Sequence, residues 1–426
     1  MQDKHIRYLK KGIWIYFYLL LFEGALRKWF LPGLSTPLLI VRDPVAFSLL
    51  FYGIYWKIWT PNIYIKIGVL LTFFSFIVTL IIGHGNLPVA LYGTRILLIH
   101  FPLIFLIGHV LGKEDVEKFG RVIVFIGIGM TILVAMQFFS PQSAWVNRGV
   151  AGDLSGSGFS GAGGYYRVPG TFSFTNGLTS FYGLMFPFVL FFLFNGKQKV
   201  IKKSIIYIAA VSYLIAIPLT ISRTVFFQSI LTLILFILSP NINSRVLFKV
   251  LLGITAVFFI VVLLNNFSFF NDSVAAFKAR YDSANRVEGG LEGVFLDRFL
   301  GGLVRALNTQ NIPFFGYGLG LGSNVGAVLL NARGEFLISE GEWGRIIGER
   351  GILIGFAVVI LRVIFSISLF IKAFIKSRQG YILSWLLFSS GIILVSQGQW
   401  SQPTALGFAV IFAGFILATT KKQTHV

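Results

Sequence analysis

Apolar residues fall in runs of about 18–22, the length that spans a roughly 30 Å hydrocarbon core. About a dozen such runs follow one another along the chain. They predict helices near residues 12–31, 37–56, 66–83, 88–111, 120–140, 171–195, 203–221, 222–239, 247–266, 351–373, 380–398 and 404–420. Between 203 and 239 the apolar pattern is nearly continuous, and only "LTISRT" (219–224) interrupts it, so a tight turn at Ser222 and Arg223 divides two helices. No small-residue cleavage signal follows the first run, which predicts a retained first helix. No internal repeat is visible. Two gaps are too long for turns. Residues 141–170 are rich in Gly and Ser and read as a flexible loop. Residues 267–350 form the largest polar stretch, and a loop that long between membrane helices points to function.

Composition sharpens the picture. Of 426 residues, 56% are hydrophobic and 12% charged, with mean hydropathy +0.81, so the chain needs a bilayer as solvent. The expected fold is an all-α polytopic membrane protein of about twelve transmembrane helices. It forms one integral domain over 1–426, with 267–350 as a large outer loop between the ninth and tenth helices. Cysteine is absent, which excludes a disulfide framework and a thiolate metal site. The net charge of +20 raises the question of nucleic acid. With the amino terminus cytoplasmic, however, the inner segments hold twenty of the 36 lysines and arginines against four acids, Asp3, Glu114, Asp115 and Glu117. That is the positive-inside bias of a plasma-membrane protein with both termini in the cytoplasm. The basic excess then reflects topology and attraction to membrane lipid, and no nucleic-acid partner is expected.

Ionisable residues inside membrane helices are costly and mark functional candidates. In this topology Glu23 and Arg27 close the outer end of the first helix, and Arg42, Asp43 and Arg95 lie one to two turns inside the outer surface. Arg167 precedes the sixth helix, and Arg223 sits at the outer turn between the seventh and eighth. Glu23 with Arg27 and Arg42 with Asp43 read either as self-paired interface anchors or as site residues. Arg95, Arg167 and Arg223 share one depth with few acidic neighbours, which points to anion binding. Guanidinium suits phosphate because its planar fork donates two parallel bonds and never deprotonates. Arg362, midway along the tenth helix, finds no carboxylate at its depth in this topology.

Charge is densest in "SEGEWGRIIGERG" (339–351), where the tenth helix begins. Ser339 and Glu342 fit a capping box, and Glu342, Arg345 and Glu349 form one helical stripe that can pair with itself. Glu340 is left without a structural duty, so it leads as general base, with Glu342 second. "GYGLGLGS" (316–323) alternates glycine with other residues but lacks the strand–turn–helix context of a dinucleotide site; it reads as a loop approaching sugar or phosphate, or as a plain linker.

Four stretches in order, "RVPGTFSFTNGL" (167–178), "LTISRT", "FFGYGLGLGS" (314–323) and "EGEWGRIIGERGILIGF" (340–356), together with the helix pattern, resemble the O-antigen ligase and O-antigen polymerase superfamily. The likeness covers roughly 165–360; the amino-terminal third matches only as a hydrophobic pattern. It implies a GT-C-like membrane glycosyltransferase that needs no metal or other cofactor. Such an enzyme moves a sugar chain from an undecaprenyl-diphosphate carrier to an acceptor hydroxyl at the outer face of the bacterial inner membrane. Arg167 and Arg223 match the family's arginines and would hold the donor diphosphate, with Arg95, Arg345 and Arg42 as further candidates. Ligases carry a histidine nine residues before the position of Glu349, where this chain has Glu340. His5, His84, His100, His109 and His425 all lie outside the large loop, so a histidine mechanism does not carry over.

On this basis arginines would stabilise the departing diphosphate and a carboxylate would take the acceptor's proton, giving inversion. Tyr165, Tyr166 and Trp343 are candidates to contact the glycan, with Trp145 a further aromatic in the glycine-rich loop. The missing histidine favours a polymerase of surface or exopolysaccharide repeat units over a ligase acting on lipid A core or protein. A flippase and a chain-length regulator are the partners the family implies. An anion transporter is the rival of another class, and it would need charged or broken helices near the midplane.

Overall fold

The computed structural model describes residues 2–194, 201–240, 242, 244–288, 312–323, 326 and 341–421. The chain is mostly helical, and seven helices among the described residues are long and apolar enough to cross a membrane. In chain order the helices are α1 (Gln2–Ala25), α2 (Ser35–Leu38), α3 (Arg42–Tyr55), α4 (Ile63–Ile81), α5 (Leu87–Arg95), α6 (Phe101–Val110) and α7 (Lys113–Phe139). After them come α8 (Thr175–Phe194), α9 (Lys203–Leu219), α10 (Arg223–Ile237), α11 (Ser244–Leu264) and α12 (Ser268–Glu288). The last three are α13 (Glu342–Arg378), α14 (Leu383–Gln397) and α15 (Pro403–Thr420). One antiparallel hairpin, β1 (Phe159–Ala162) with β2 (Tyr165–Arg167), lies between α7 and α8.

Polar residues set the helix ends. Asn62 and Asn86 accept from Ile65 N and Val89 N at 3.2 Å, starting α4 and α5, and Ser222 caps α10 through Val225 N. Asp115 reaches back to Gly112 N at 3.0 Å to start α7. The turn expected at Ser222 and Arg223 is present, with α9 ending at Leu219 and Ile221 at φ +47°.

α15 forms the centre: 78% of its apolar window is buried, and at Gly108 and Gly414 it meets α6 at a distance that only glycine allows. α3 and α4 lie at the rim, with 28% buried, and expose Phe47, Phe51, Leu70, Phe73 and Phe74. An apolar face of that extent requires lipid against it. The bundle has a basic end, where α3 gives way to α4 and α6 to α7, and a hairpin end, where the β-hairpin lies.

Three expectations about local structure change. Residues 141–170 carry 3₁₀ turns at Trp145–Asn147 and Val150–Gly152 as well as the hairpin, because Asn147 donates to the carbonyls of Gln137, Ser140 and Pro141 and ties the segment to the end of α7. The run at 88–111 is interrupted by a π-helical turn at Ile96–His100, and another, Leu26–Phe30, extends α1. Finally, α13 is two helices. At Gly351 the backbone takes φ 76°, ψ 174°, a conformation open essentially to glycine alone, and the chain folds back. A Cβ on Gly355 would stand 2.7 Å from Ile347 Cα, so the two pieces run side by side.

Candidate functional site

The motif "RVPGTFSFTNGL" is built into the bundle as a clamp. Gly170 receives three bonds: its N–H donates to Gln137 Oε1 at 2.8 Å, and its carbonyl accepts from Lys28 Nζ at 2.6 Å and from Gln137 Nε2 at 3.2 Å. Thr171 Oγ1 donates to the Leu21 carbonyl at 2.7 Å, and Arg27 donates to Ser173 Oγ at 3.0 Å. The π turn at Leu26–Phe30 directs Arg27 and Lys28 inward, where both are buried. The clamp thereby fixes the residues on either side of it, Arg167 and Thr175.

Arg167 Nη2 donates to Thr175 Oγ1 at 3.3 Å. One turn along α8, Thr179 Oγ1 lies 3.1 Å from the hydroxyl of Ser222, and Arg223 follows as the first residue of α10. Arg167 and Arg223 are half-buried, and a polar strip of Thr175, Thr179 and Ser222 joins them across the starts of two helices. Those starts carry the positive ends of the helix dipoles, which favour an anion beside them. Of the five arginines expected to bind diphosphate, these two are brought together here.

Arg345, Arg95 and Arg42 each face a carboxylate inside the bundle. Arg345 binds Glu342 through two parallel bonds of 2.8 and 2.9 Å and Glu349 at 2.6 Å, so the expected stripe pairs with itself. Glu342 also accepts from Arg362 Nη1 at 2.8 Å. The fold-back at Gly351 brings residue 342 beside residue 362, which supplies the partner that a straight helix lacks. Arg362 donates further to the Val395 and Gly398 carbonyls and lies 3.8 Å over the Trp400 ring. The Glu342 side chain is fully buried between two arginines, which leaves it no access to an acceptor hydroxyl. Trp343 donates its indole N–H to the Ser396 carbonyl at 3.0 Å, joining the short helix to α14. Glu340 lies outside the described residues.

Arg95 was expected to have few acidic neighbours, but it binds both Asp43 oxygens at 2.9 and 3.1 Å, and Asp43 also accepts from His100 at 2.8 Å. Sequence distance hid this pair, since 52 positions separate the partners. Arg42 faces Glu23 at 3.6 Å and donates to the Pro403 carbonyl at 2.6 Å.

The glycine run approaches the protein's own backbone. Tyr317 N and Gly318 N donate to the Gly348 and Glu349 carbonyls, Leu319 N to Thr79, and Gly322 N to Glu349 Oε1 at 2.8 Å. A Cβ on Gly320 would collide with the Val89 carbonyl, and one on Gly322 with the Arg345 side chain. Tyr165 stacks on Phe138 at 4.5 Å, and burial together with the Asp272 carboxylate of α12 raises the pKa of its phenol, which stays protonated. Tyr166 is exposed, as is Trp145, which stacks on Trp29 at 5.4 Å.

Comparison with protein-family models and with curated protein sequences returns no match. The resemblance therefore rests on the four sequence motifs alone.

Proposed function

We propose that the chain is a glycan transferase of the bacterial inner membrane. It crosses about twelve times, with the basic end and both termini in the cytoplasm and the hairpin end outside. The observation that supports this most directly is the strip joining Arg167, Thr175, Thr179, Ser222 and Arg223. It sets two half-buried arginines and three hydroxyl-bearing side chains beside two helix starts, whose dipoles favour an anion. The ligand class that matches is a lipid-linked diphosphate, here the undecaprenyl-diphosphate carrier of an oligosaccharide.

In the reaction, an acceptor hydroxyl attacks the anomeric carbon of the donor glycan. The bond from that carbon to the diphosphate oxygen breaks, and undecaprenyl diphosphate leaves as its growing charge is met by Arg167 and Arg223. The acceptor's proton passes to a general base, for which Glu340 remains the candidate while Glu342 is withdrawn by its two arginines. Joining repeat units of a surface or exopolysaccharide is the preferred form, in the company of a flippase and a chain-length regulator. Ligation to lipid A core or protein is the alternative.

The test is glycan extension by the purified protein in nanodiscs, given lipid-diphosphate repeat units from its host, with and without EDTA. A ladder that is lost in Arg167→Ala and Arg223→Ala supports the polymerase. Transfer of a single block to an added acceptor indicates a ligase, and an intact ladder in both arginine variants overturns the site. Anion transport keeps one supporting observation, the broken helix at Gly351 beside buried charge; ion flux in proteoliposomes that is lost in Arg362→Met would favour it.

A further inference from the structure

At the basic end, away from the proposed transferase site, a cavity of about 460 Å³ opens between the segment that links α3 to α4 and the helices α6, α13 and α15. Its walls include Trp59, Asn62, His109, Lys372, Thr420 and Lys421, and its apolar floor is set where Gly108 of α6 meets Leu417 of α15. Among the described residues the lining contains two lysines and a histidine and no carboxylate. Two basic residues outside it share a carboxylate instead: Lys10 binds Asp115 at 2.6 Å, and Lys118 lies 3.8 Å from the same group.

Among the described residues no ion pair neutralises Lys372 or Lys421. Lys421 Nζ instead donates to the His109 carbonyl, which holds its ammonium at the rim. A third lysine, Lys376, donates to the Lys421 carbonyl at 3.4 Å and adds to the positive field. Asn62 caps α4 through Ile65 N, so the start of that helix lies at the cavity wall and its dipole adds to the charge of the lysines. Next in sequence to the lining residues Asn62 and Lys372, α4 and α13 expose Ile63, Ile67, Ile371 and Ile375. A concave cationic site at the edge of an apolar track matches a molecule with an anionic head and a hydrocarbon tail.

We infer that this cavity binds the phosphate headgroup of an anionic phospholipid, held by Lys372 and Lys421, with an acyl chain along the isoleucines of α4 and α13. The site is independent of the proposed transfer activity. A basic hollow between membrane helices suits such a headgroup, and each lysine near the membrane surface contributes about fivefold in affinity.

The full chain, purified in detergent, is titrated with phosphatidylglycerol and separately with phosphatidylcholine, and bound lipid is counted by native mass spectrometry. Wild type and the control Lys118→Gln should retain phosphatidylglycerol and release phosphatidylcholine. Lys372→Gln and Lys421→Gln should each bind about fivefold more weakly, and the double variant about 25-fold more weakly. Unchanged retention in the double variant, or equal retention of phosphatidylcholine, overturns the proposal. So does displacement of the lipid by an equal concentration of inorganic phosphate, which would make the site one for free phosphate. All three lysines are exposed or lie at helix ends, and gel filtration of each variant before titration confirms that only folded protein is compared.

Discussion

The arginines at the start of α13 and those at the hairpin end carry the same guanidinium group in opposite surroundings. Arg345 and Arg362 are buried, and Glu342 stands between them with every bond inside the protein. Arg167 and Arg223 are half-buried, and Thr175, Thr179, Ser222 and two helix starts lie along the strip between them. A fully buried ion pair fixes the relative position of helices, whereas a half-buried arginine beside a helix start keeps a path to solvent and so to a ligand's oxygens. The difference teaches that an arginine in a membrane protein is assigned by how far the fold seals it from solvent. Depth alone does not decide.

The largest effect that could break this comparison comes from Glu342→Gln. Removing one partner from a buried ion pair leaves an uncompensated charge and costs about 3–5 kcal/mol. We expect a large drop in the thermal unfolding midpoint in detergent and little monodisperse protein. If Glu342→Gln were as stable as wild type and lost only glycan transfer, Glu342 would return as the general base. The double change Glu342→Leu with Arg362→Met should recover part of the loss, because two well-packed apolar residues replace the pair. Gly351→Ala comes next. The left-handed backbone costs about 1–3 kcal/mol for alanine, and its Cβ would also collide with the Phe314 carbonyl. The expected readout is a lower unfolding midpoint and proteolytic cleavage near residue 351.

At the hairpin end the effects should move from stability to activity. Arg167→Ala and Arg223→Ala should each lower transfer about 10- to 100-fold, the weight of a hydrogen bond to a charged group, while the unfolding midpoint shifts little. Arg→Lys at either position should recover less than half of that loss in free energy, since an ammonium cannot donate two parallel bonds. Equal loss of stability in these variants would place Arg167 and Arg223 in the same class as Arg345.

Much of the helical layout was legible because lipid demands long apolar runs, and the turn between α9 and α10 was legible because "LTISRT" breaks one. The stripe of Glu342, Arg345 and Glu349 followed from helical spacing alone. The partner of Arg362 did not, since a straight α13 would hold residues 342 and 362 about 30 Å apart. Only the positive φ at Gly351 folds the chain back, and a glycine in "GERGIL" carries no signal that distinguishes a break from a packing contact. The Asp43–Arg95–His100 cluster and the Gln137 and Lys28 grip on Gly170 depend on helix packing across 33 to 142 positions. No local pattern encodes such distances; the one overlooked signal is a lysine within an apolar run, Lys28.

The smallest predicted effect separates the two regions at a single side chain. Trp343 was a candidate to stack on the glycan, yet its indole N–H is spent on the Ser396 carbonyl and its ring is half-buried between the short helix of α13 and α14. Trp343→Phe keeps most of the apolar contact and removes one hydrogen bond, which leaves a carbonyl with one fewer donor at a cost of about 1 kcal/mol. A positioning role predicts a small fall in the unfolding midpoint with KM for the acceptor unchanged. A glycan platform predicts the reverse, because phenylalanine offers a smaller face to the sugar while the fold keeps its stability. Measuring both quantities on the one variant therefore decides whether the interior set of charges and the exposed strip are separate devices or two walls of one site.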